Sequence, residues 1–175
     1  MGELDLLKPT VERALGGRVH FGRVAMKPGK PTTFATVPAG NLGGGGPRRG
    51  ADAKVLFALP GNPASALVTF HLFALPALHR MAGAGDGEEG LPRVRVALAH
   101  DFPLDPARPE YHRAVVSAGA DGALTAASTG GQRSSRVGRL RGANALLCLP
   151  SGRDGPLPKG ALVDALLMGP VRSGL

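Results

Sequence analysis

The sequence predicts an α/β unit over residues 1–82 followed by a small all-β unit, a sandwich or a barrel, over residues 93–175. Three observations predict it. A short apolar run, Lys54 to Leu59, leads through Pro60-Gly61-Asn62-Pro63 into a helical stretch, the strand, tight turn, helix order of an α/β fold. From Val94 onward, short apolar runs alternate with Gly, Pro and Asp clusters, as in a small β domain. Between them, Ala82 to Pro92 (AGAGDGEEGLP) is small, acidic and Gly-rich, with the composition of a linker. The 27 Gly and 16 Pro punctuate the chain too often for an all-helical bundle.

Each element has a local reason. Pro9 suits a first helical position, Val11 and Leu15 fall four apart, and Gly16-Gly17 stop a short helix over Thr10 to Leu15. Val19 to Met26 is rich in strand formers and ends at Lys27-Pro28-Gly29-Lys30-Pro31, and Thr32 to Val37 reads as a second strand. Gly40 to Gly50 is low in complexity and reads as a flexible surface loop, with Arg48 and Arg49 solvated. After the third strand, Asn62 has the chemistry of an N-cap and Pro63 that of the first helical position. Ala64 and Ser65 then fall in the first turn, and the helix runs to about Met81 with a kink near Pro76. Beyond the linker, Val94–Ala99, Tyr111–Ala118, Ala123–Ala127, Ala145–Leu149 and Leu162–Met168 are the candidate barrel or sandwich strands.

Composition bounds the function. Apolar residues are 43% but aromatics only 4%, so Leu, Val and Ala must build the core. A net charge of +8 favours anionic partners, whether nucleic acid, headgroups, or small phosphates and oxyanions. There is no zinc-finger spacing, aromatic-rich strand pair or basic helix, so no specific nucleic-acid binding is expected. The run from Leu59 to Leu78 is broken by Pro60, Pro63 and Pro76, so no membrane span is expected there. MGELDL lacks the basic and apolar regions of a signal peptide, and the single Cys148 sits among leucines as a buried structural thiol; both suit a cytoplasmic protein.

Two Gly/Pro-bracketed segments at strand ends are candidate chemistry: Met26 to Thr33 and Leu59 to Ser65. A helix start offers backbone N–H groups and positive dipole to an anion, Lys27 and Lys30 add two charges on a Pro-stiffened turn, and the Ser65 hydroxyl adds a donor. The same pattern also suits ordinary turns with surface lysines. GKPTT is not a Walker A sequence. His71 and His79 lie on one helix face without a carboxylate or third ligand nearby, and His112 suits a hydrogen-bonded structural role at least as well as catalysis.

Five segments, in order, carry a family resemblance: HFGRVAMKPGKPTTFATV (20–37), LFALPGNPASALVTFHLFALPAL (56–78), PEYHRA (109–114), STGGQRSSR (128–136) and RGANALLCLP (141–150). They resemble the MoeA/gephyrin family of molybdenum insertases, in particular the C-terminal part of the gephyrin E domain. The resemblance implies that residues 1–82 are the C-terminal part of a MogA/MoaB-like molybdopterin-binding subdomain and residues 93–175 a small β-barrel subdomain. It implies insertion of molybdate into molybdopterin or adenylated molybdopterin, supported by Mg²⁺. It places Lys27, Lys30 and Pro31 of KPGKP and Ser65 of PGNPAS in the molybdate and phosphate pocket, with Arg113 of PEYHR reaching it from the barrel. A homodimer is implied, and a non-catalytic gephyrin-like dimerisation or scaffold module is the alternative reading. The catalytic residues stay unknown.

Met1-Gly2-Glu3 matches the end of the family's SGGVSMGE segment. The expectation is therefore a truncated form, inactive alone, with the Mg²⁺ ligands outside this chain. In the stretch Ser134 to Asn144, Arg139 and Gly142 stand where the family pattern has serines.

Overall fold

The computed structural model describes residues 6–42, 53–130, 142–152 and 155–173. Its first unit is a three-stranded antiparallel sheet with helices. Helix α1 (Leu7–Pro9) continues as a π-helical turn over Thr10–Ala14, so Pro9 lies inside the helix rather than at its first position. Strands β1 (Arg18–Phe21), β2 (Thr33–Pro38) and β3 (Ala53–Ala58) follow in the spatial order β1-β2-β3. β1 is shorter than the apolar run predicts, because beyond Phe21 the Val24 amide donates to the Lys30 carbonyl (3.0 Å) instead of to a strand. Ala39–Leu42 form a 3₁₀ turn, and the rest of the predicted Gly-rich loop, Arg48 and Arg49 included, lies outside the described residues.

The period of two in β2 separates its faces. Ala35 and Val37 point to Val11 of the first helix, in a cluster bordered by Leu7, Leu15, Val19 and Leu56. On the other face Phe34 stacks between His20 and Phe57, with ring centroids 5.0 Å from each.

The long helix begins as its sequence dictates. In α2 (Pro63–Thr69) the Asn62 side chain accepts the Ala64 amide at 3.1 Å, with Pro63 at the start. The helix then widens into a π-helical turn, Phe70–Ala74, and resumes as α3 (Leu75–Met81). Pro76 explains the position of that turn. A proline has no amide to donate and its ring crowds the carbonyl four residues back, and one wider turn just before it accommodates both. The Leu75 amide accordingly reaches back five residues to the Phe70 carbonyl. Between α3 and the next strand there is neither helix nor strand, and Arg80 ties this stretch to the helix end through Asp86 (2.7 Å) and Glu89 (3.3 Å).

The second unit is a closed barrel. Its strands are β4 (Arg93–Leu98), β5 (Glu110–Ala118), β6 (Leu124–Ser128), β7 (Ala145–Leu149) and β8 (Leu162–Leu167), with a two-residue β9 (Arg172–Ser173). The order β6-β4-β8-β7-β5 returns to β6 because the long β5 serves two neighbours, Glu110–Ala114 pairing with β7 and Ala114–Ala118 with β6. β4 and β6 run parallel and the other four pairings of the ring are antiparallel. Inside, Ala114, Ala126, Ala145 and Ala165 alternate with Val96, Leu98, Val116, Leu147 and Leu149 under Phe102. Small residues are what a narrow barrel can hold, which is why so few aromatics suffice.

β7 is apolar at every position because both of its faces are covered. Leu147 and Leu149 point inward, whereas Leu146 points outward with Leu166 and packs against Met26 and Val68 of the first unit. Cys148, half-buried, borders that second cluster, and burial pushes its thiol above the ordinary range. No helix among the described residues is long and apolar enough to cross a membrane.

Asn144, at the head of β7, is 6% exposed and fully used. Its side-chain oxygen accepts the Val116 amide (2.7 Å), and its amide group donates to the carbonyls of Val116 (2.9 Å) and Pro170 (2.8 Å). Asn144→Ala leaves a buried backbone donor and two acceptors unsatisfied, for an expected loss of about 2–4 kcal/mol. Urea unfolding of the two proteins measures it, and a loss below about 0.5 kcal/mol would show that water replaces the side chain at no cost.

Candidate anion site at the seam of the two units

The turn after β1 is held from two sides. Gly29 sits at φ +114°, and a β-carbon there would lie 2.5 Å from the Thr69 methyl of α2. Only glycine fits that conformation and that approach. The Thr32 hydroxyl closes the turn on the Gly29 carbonyl at 2.6 Å, and the Thr69 hydroxyl donates to the Ser65 carbonyl at 2.9 Å. The KPGKP turn thus rests directly on the helix whose first turn carries Ser65. On the barrel side, the Lys27 amide donates to the Pro109 carbonyl (3.0 Å) and its carbonyl accepts the Tyr111 amide (2.8 Å), a parallel bridge to the start of β5. The Lys27–Pro28 peptide is cis.

The predicted site residues fall as follows. Lys27 is half-exposed, its ammonium 3.1 Å from Glu110 and 3.7 Å from Asp105. Lys30 and Pro31 are exposed at the tip of the turn. Ser65 is buried in the first turn of α2, at 7% exposure. Arg113 is 2% exposed; it lies two residues beyond Tyr111 on the outward side of β5, opposite Leu146 in the ladder. The fold therefore brings the lysine turn against both the Ser65 helix and the Arg113 strand. The Arg139 position lies outside the described residues. Gly142, at φ +93°, has a local reason to be glycine, since a β-carbon would meet the Arg172 guanidinium at 3.0 Å. That guanidinium donates to the Gly142 carbonyl (2.8 Å).

A group that sequence reasoning did not assign to the site lies beside Lys27. A cleft of about 580 Å³ is lined by Lys27, Asp105, Glu110, His112, His100 and Ser128 together with Phe102 and Leu104. Glu110 and His112, two apart on a strand, share the inward face, and the His112 Nδ1 is 2.9 Å from Glu110 Oε1. His112 Nε2 lies 2.7 Å from the Ser128 hydroxyl. The spacing in PEYHR was the available signal, but it acquires meaning only once β5 and β6 are paired. Burial pushes the Glu110 carboxyl upward, and the hydrogen bonds from His112 and Lys27 more than offset it, holding the group below the usual glutamate range. The Ala107 amide is the main influence that holds Asp105 low.

The two helix histidines are engaged locally. His71 donates from Nδ1 to the Leu67 carbonyl (2.8 Å), and His79 Nδ1 accepts the Gly90 amide (3.1 Å). Among the described residues no three His, Cys, Asp or Glu side chains gather as a metal site. Asp105 and Glu110, the carboxylates at the seam, are both directed to Lys27 and do not fit a Mg²⁺ site.

Comparison with known proteins places this architecture. Residues 1–80 match the family described as "Probable molybdopterin binding domain", and residues 95–168 match "MoeA C-terminal region (domain IV)". Gephyrin of Dictyostelium discoideum is 44% identical over 180 residues, covering 99% of this chain and 25% of that protein. A molybdopterin molybdenumtransferase of Staphylococcus aureus is 33% identical over 168 residues, covering 95% of this chain and 35% of the enzyme. The crystal structure of the molybdopterin biosynthesis MoeA protein from Pyrococcus horikosii superposes with a TM-score of 0.65 at 24% identity, covering 95% of this chain and 35% of that one. The α/β unit joined to a closed barrel is thus an architecture shared with that MoeA structure. The chain belongs to the MoeA/gephyrin family, and it spans about a quarter to a third of the length of these curated relatives.

Glu110 gives the seam a pH dependence of definite sign. Its carboxyl is depressed in the folded state, so its contribution is present above the ordinary glutamate value and is lost as pH falls through the folded one. Urea midpoints measured between about pH 5 and pH 3 should fall less steeply in Glu110→Gln than in the wild type. Parallel profiles would show that the carboxylate contributes nothing to folding.

Proposed function

We propose that this chain acts in molybdenum cofactor biosynthesis, binding molybdate and the phosphate of molybdopterin, or of its adenylated form, at the seam between the two units. One observation carries the reading: the KPGKP turn is fastened at once to the Ser65 helix through Gly29 and Thr69 and to the Arg113 strand through Lys27. The relatives' names, gephyrin and molybdopterin molybdenumtransferase, support the chemistry.

Each of the ligands is an anion. The +8 charge of the chain concentrates such ligands, but the local donors select them. Lys30 stands exposed at the turn, where an incoming oxyanion meets it first. The Ser65 hydroxyl contributes a hydrogen bond from the first turn of α2, where the helix dipole also favours negative charge. Arg113 is held within the seam, and a guanidinium there favours a tetrahedral anion. What these residues do is bind and orient molybdate beside the pterin.

Calorimetric titration with molybdate tests this. Lys30→Ala and Ser65→Ala should each lose about 1–3 kcal/mol of binding, as when a hydrogen bond to a charged group is removed. Unchanged affinity in both variants would refute the site.

A further inference from the structure

Four side chains from three segments form one hydrogen-bonded line that ends on Lys27. Ser128, at the end of β6, lies 2.7 Å from His112 Nε2; His112 Nδ1 lies 2.9 Å from Glu110 Oε1; and Glu110 Oε2 lies 3.1 Å from the Lys27 ammonium. Glu110 and His112 are 5% and 8% exposed, so water competes little with these bonds. The directions follow from the donors available. An ionised Glu110 only accepts, so His112 carries its proton on Nδ1 and its Nε2 can accept from the serine. The Ser128 hydroxyl stands 2.7 Å from the ring but 3.3 Å from the Gly130 carbonyl, so its proton goes to the ring. Phe102 packs edge-on against His112 with centroids 5.0 Å apart, and His100 stacks on Phe102 at 4.4 Å. The imidazole is therefore held by packing as well as by hydrogen bonds.

Acid, histidine and serine follow the order of a nucleophilic triad, but both ends differ from one. Glu110 gives its second oxygen to Lys27, and the Ser128 oxygen already accepts the Gly130 amide at 3.0 Å. The line is directed at the lysine. Of the three ammonium protons, Glu110 draws one at 3.1 Å, and Asp105, at 3.7 Å, adds an ion pair without a hydrogen bond, so Glu110 is the group that sets the ammonium's direction.

We infer that His112 is a positioning residue for anion binding: it orients the Glu110 carboxylate, which in turn fixes where the Lys27 ammonium points at the seam. This deepens the molybdate reading and rests on it. Its signature is that His112 acts on the ligand only through Lys27.

A double-mutant cycle reads that directly. Molybdate affinity is measured for His112→Phe, which keeps the ring packing and removes both nitrogens, in the wild-type and Lys27→Ala backgrounds, with Tm recorded for each protein. His112→Phe should weaken binding about tenfold with Lys27 present and less than about twofold without it. His112→Gln, which retains a donor and an acceptor, should bind within about threefold of the wild type. Should His112→Phe fail to fold, Glu110→Gln supplies the same cycle. Equal losses in both backgrounds, or no rescue by His112→Gln, would overturn the inference while leaving molybdate binding intact. A wild type that binds no molybdate would instead overturn the reading beneath it.

Discussion

Lys27 ties the two units together through both its backbone and its side chain. Its backbone pairs with Pro109 and Tyr111, and its ammonium meets Glu110 and Asp105, so one residue at the end of the first strand region is stitched into the barrel wall twice. The rest of the seam depends on this. The turn that follows presses Gly29 onto Thr69 of the long helix, and the neighbouring Val68 packs with Leu146 and Leu166 of the barrel. The bridge sets direction, and the apolar cluster supplies most of the attraction, since burial of whole side chains outweighs the two ion pairs of a part-exposed lysine.

Much of this was legible in the sequence. Asn62-Pro63 marks the helix start because cap chemistry is local, and Pro76 marks the irregularity because a proline always removes one donor. The five apolar runs beyond the linker became the five strands of the barrel. The apolar runs by themselves left sandwich and barrel open, and it was the family resemblance that implied the barrel. Closure depends on β5 pairing with β7 along one half and β6 along the other, a long-range fact with no local signature. The shortened β1 has a nearer cause, since the Val24 amide is taken by Lys30 across the turn.

The candidate site divides similarly. Lys27, Lys30 and Ser65 could be picked out because glycine and proline mark turns at strand ends and a helix start, and Pro31 was added by the family resemblance. That Lys27 spends its charge on two carboxylates could not, because Asp105 and Glu110 lie about eighty residues away along the chain and look like ordinary loop acids. Asn144 shows the converse. It falls in a motif that carries the family resemblance, yet all of its hydrogen-bonding groups with described partners serve the barrel: the ties to Val116 and Pro170 are those of a structural residue.

A chain of charge +8 attracts many anions, so the account depends on the ligand being held by particular residues and not by net charge. Amide chemical shifts of the isotope-labelled chain, followed as sodium molybdate is added at fixed ionic strength, separate the two. The account predicts saturable shifts, with one common dissociation constant, at Lys30, Thr32, Ser65 and Arg113. Shifts that grow without saturating and spread over exposed arginines such as Arg93, Arg95 and Arg172, leaving those four unmoved, would contradict it.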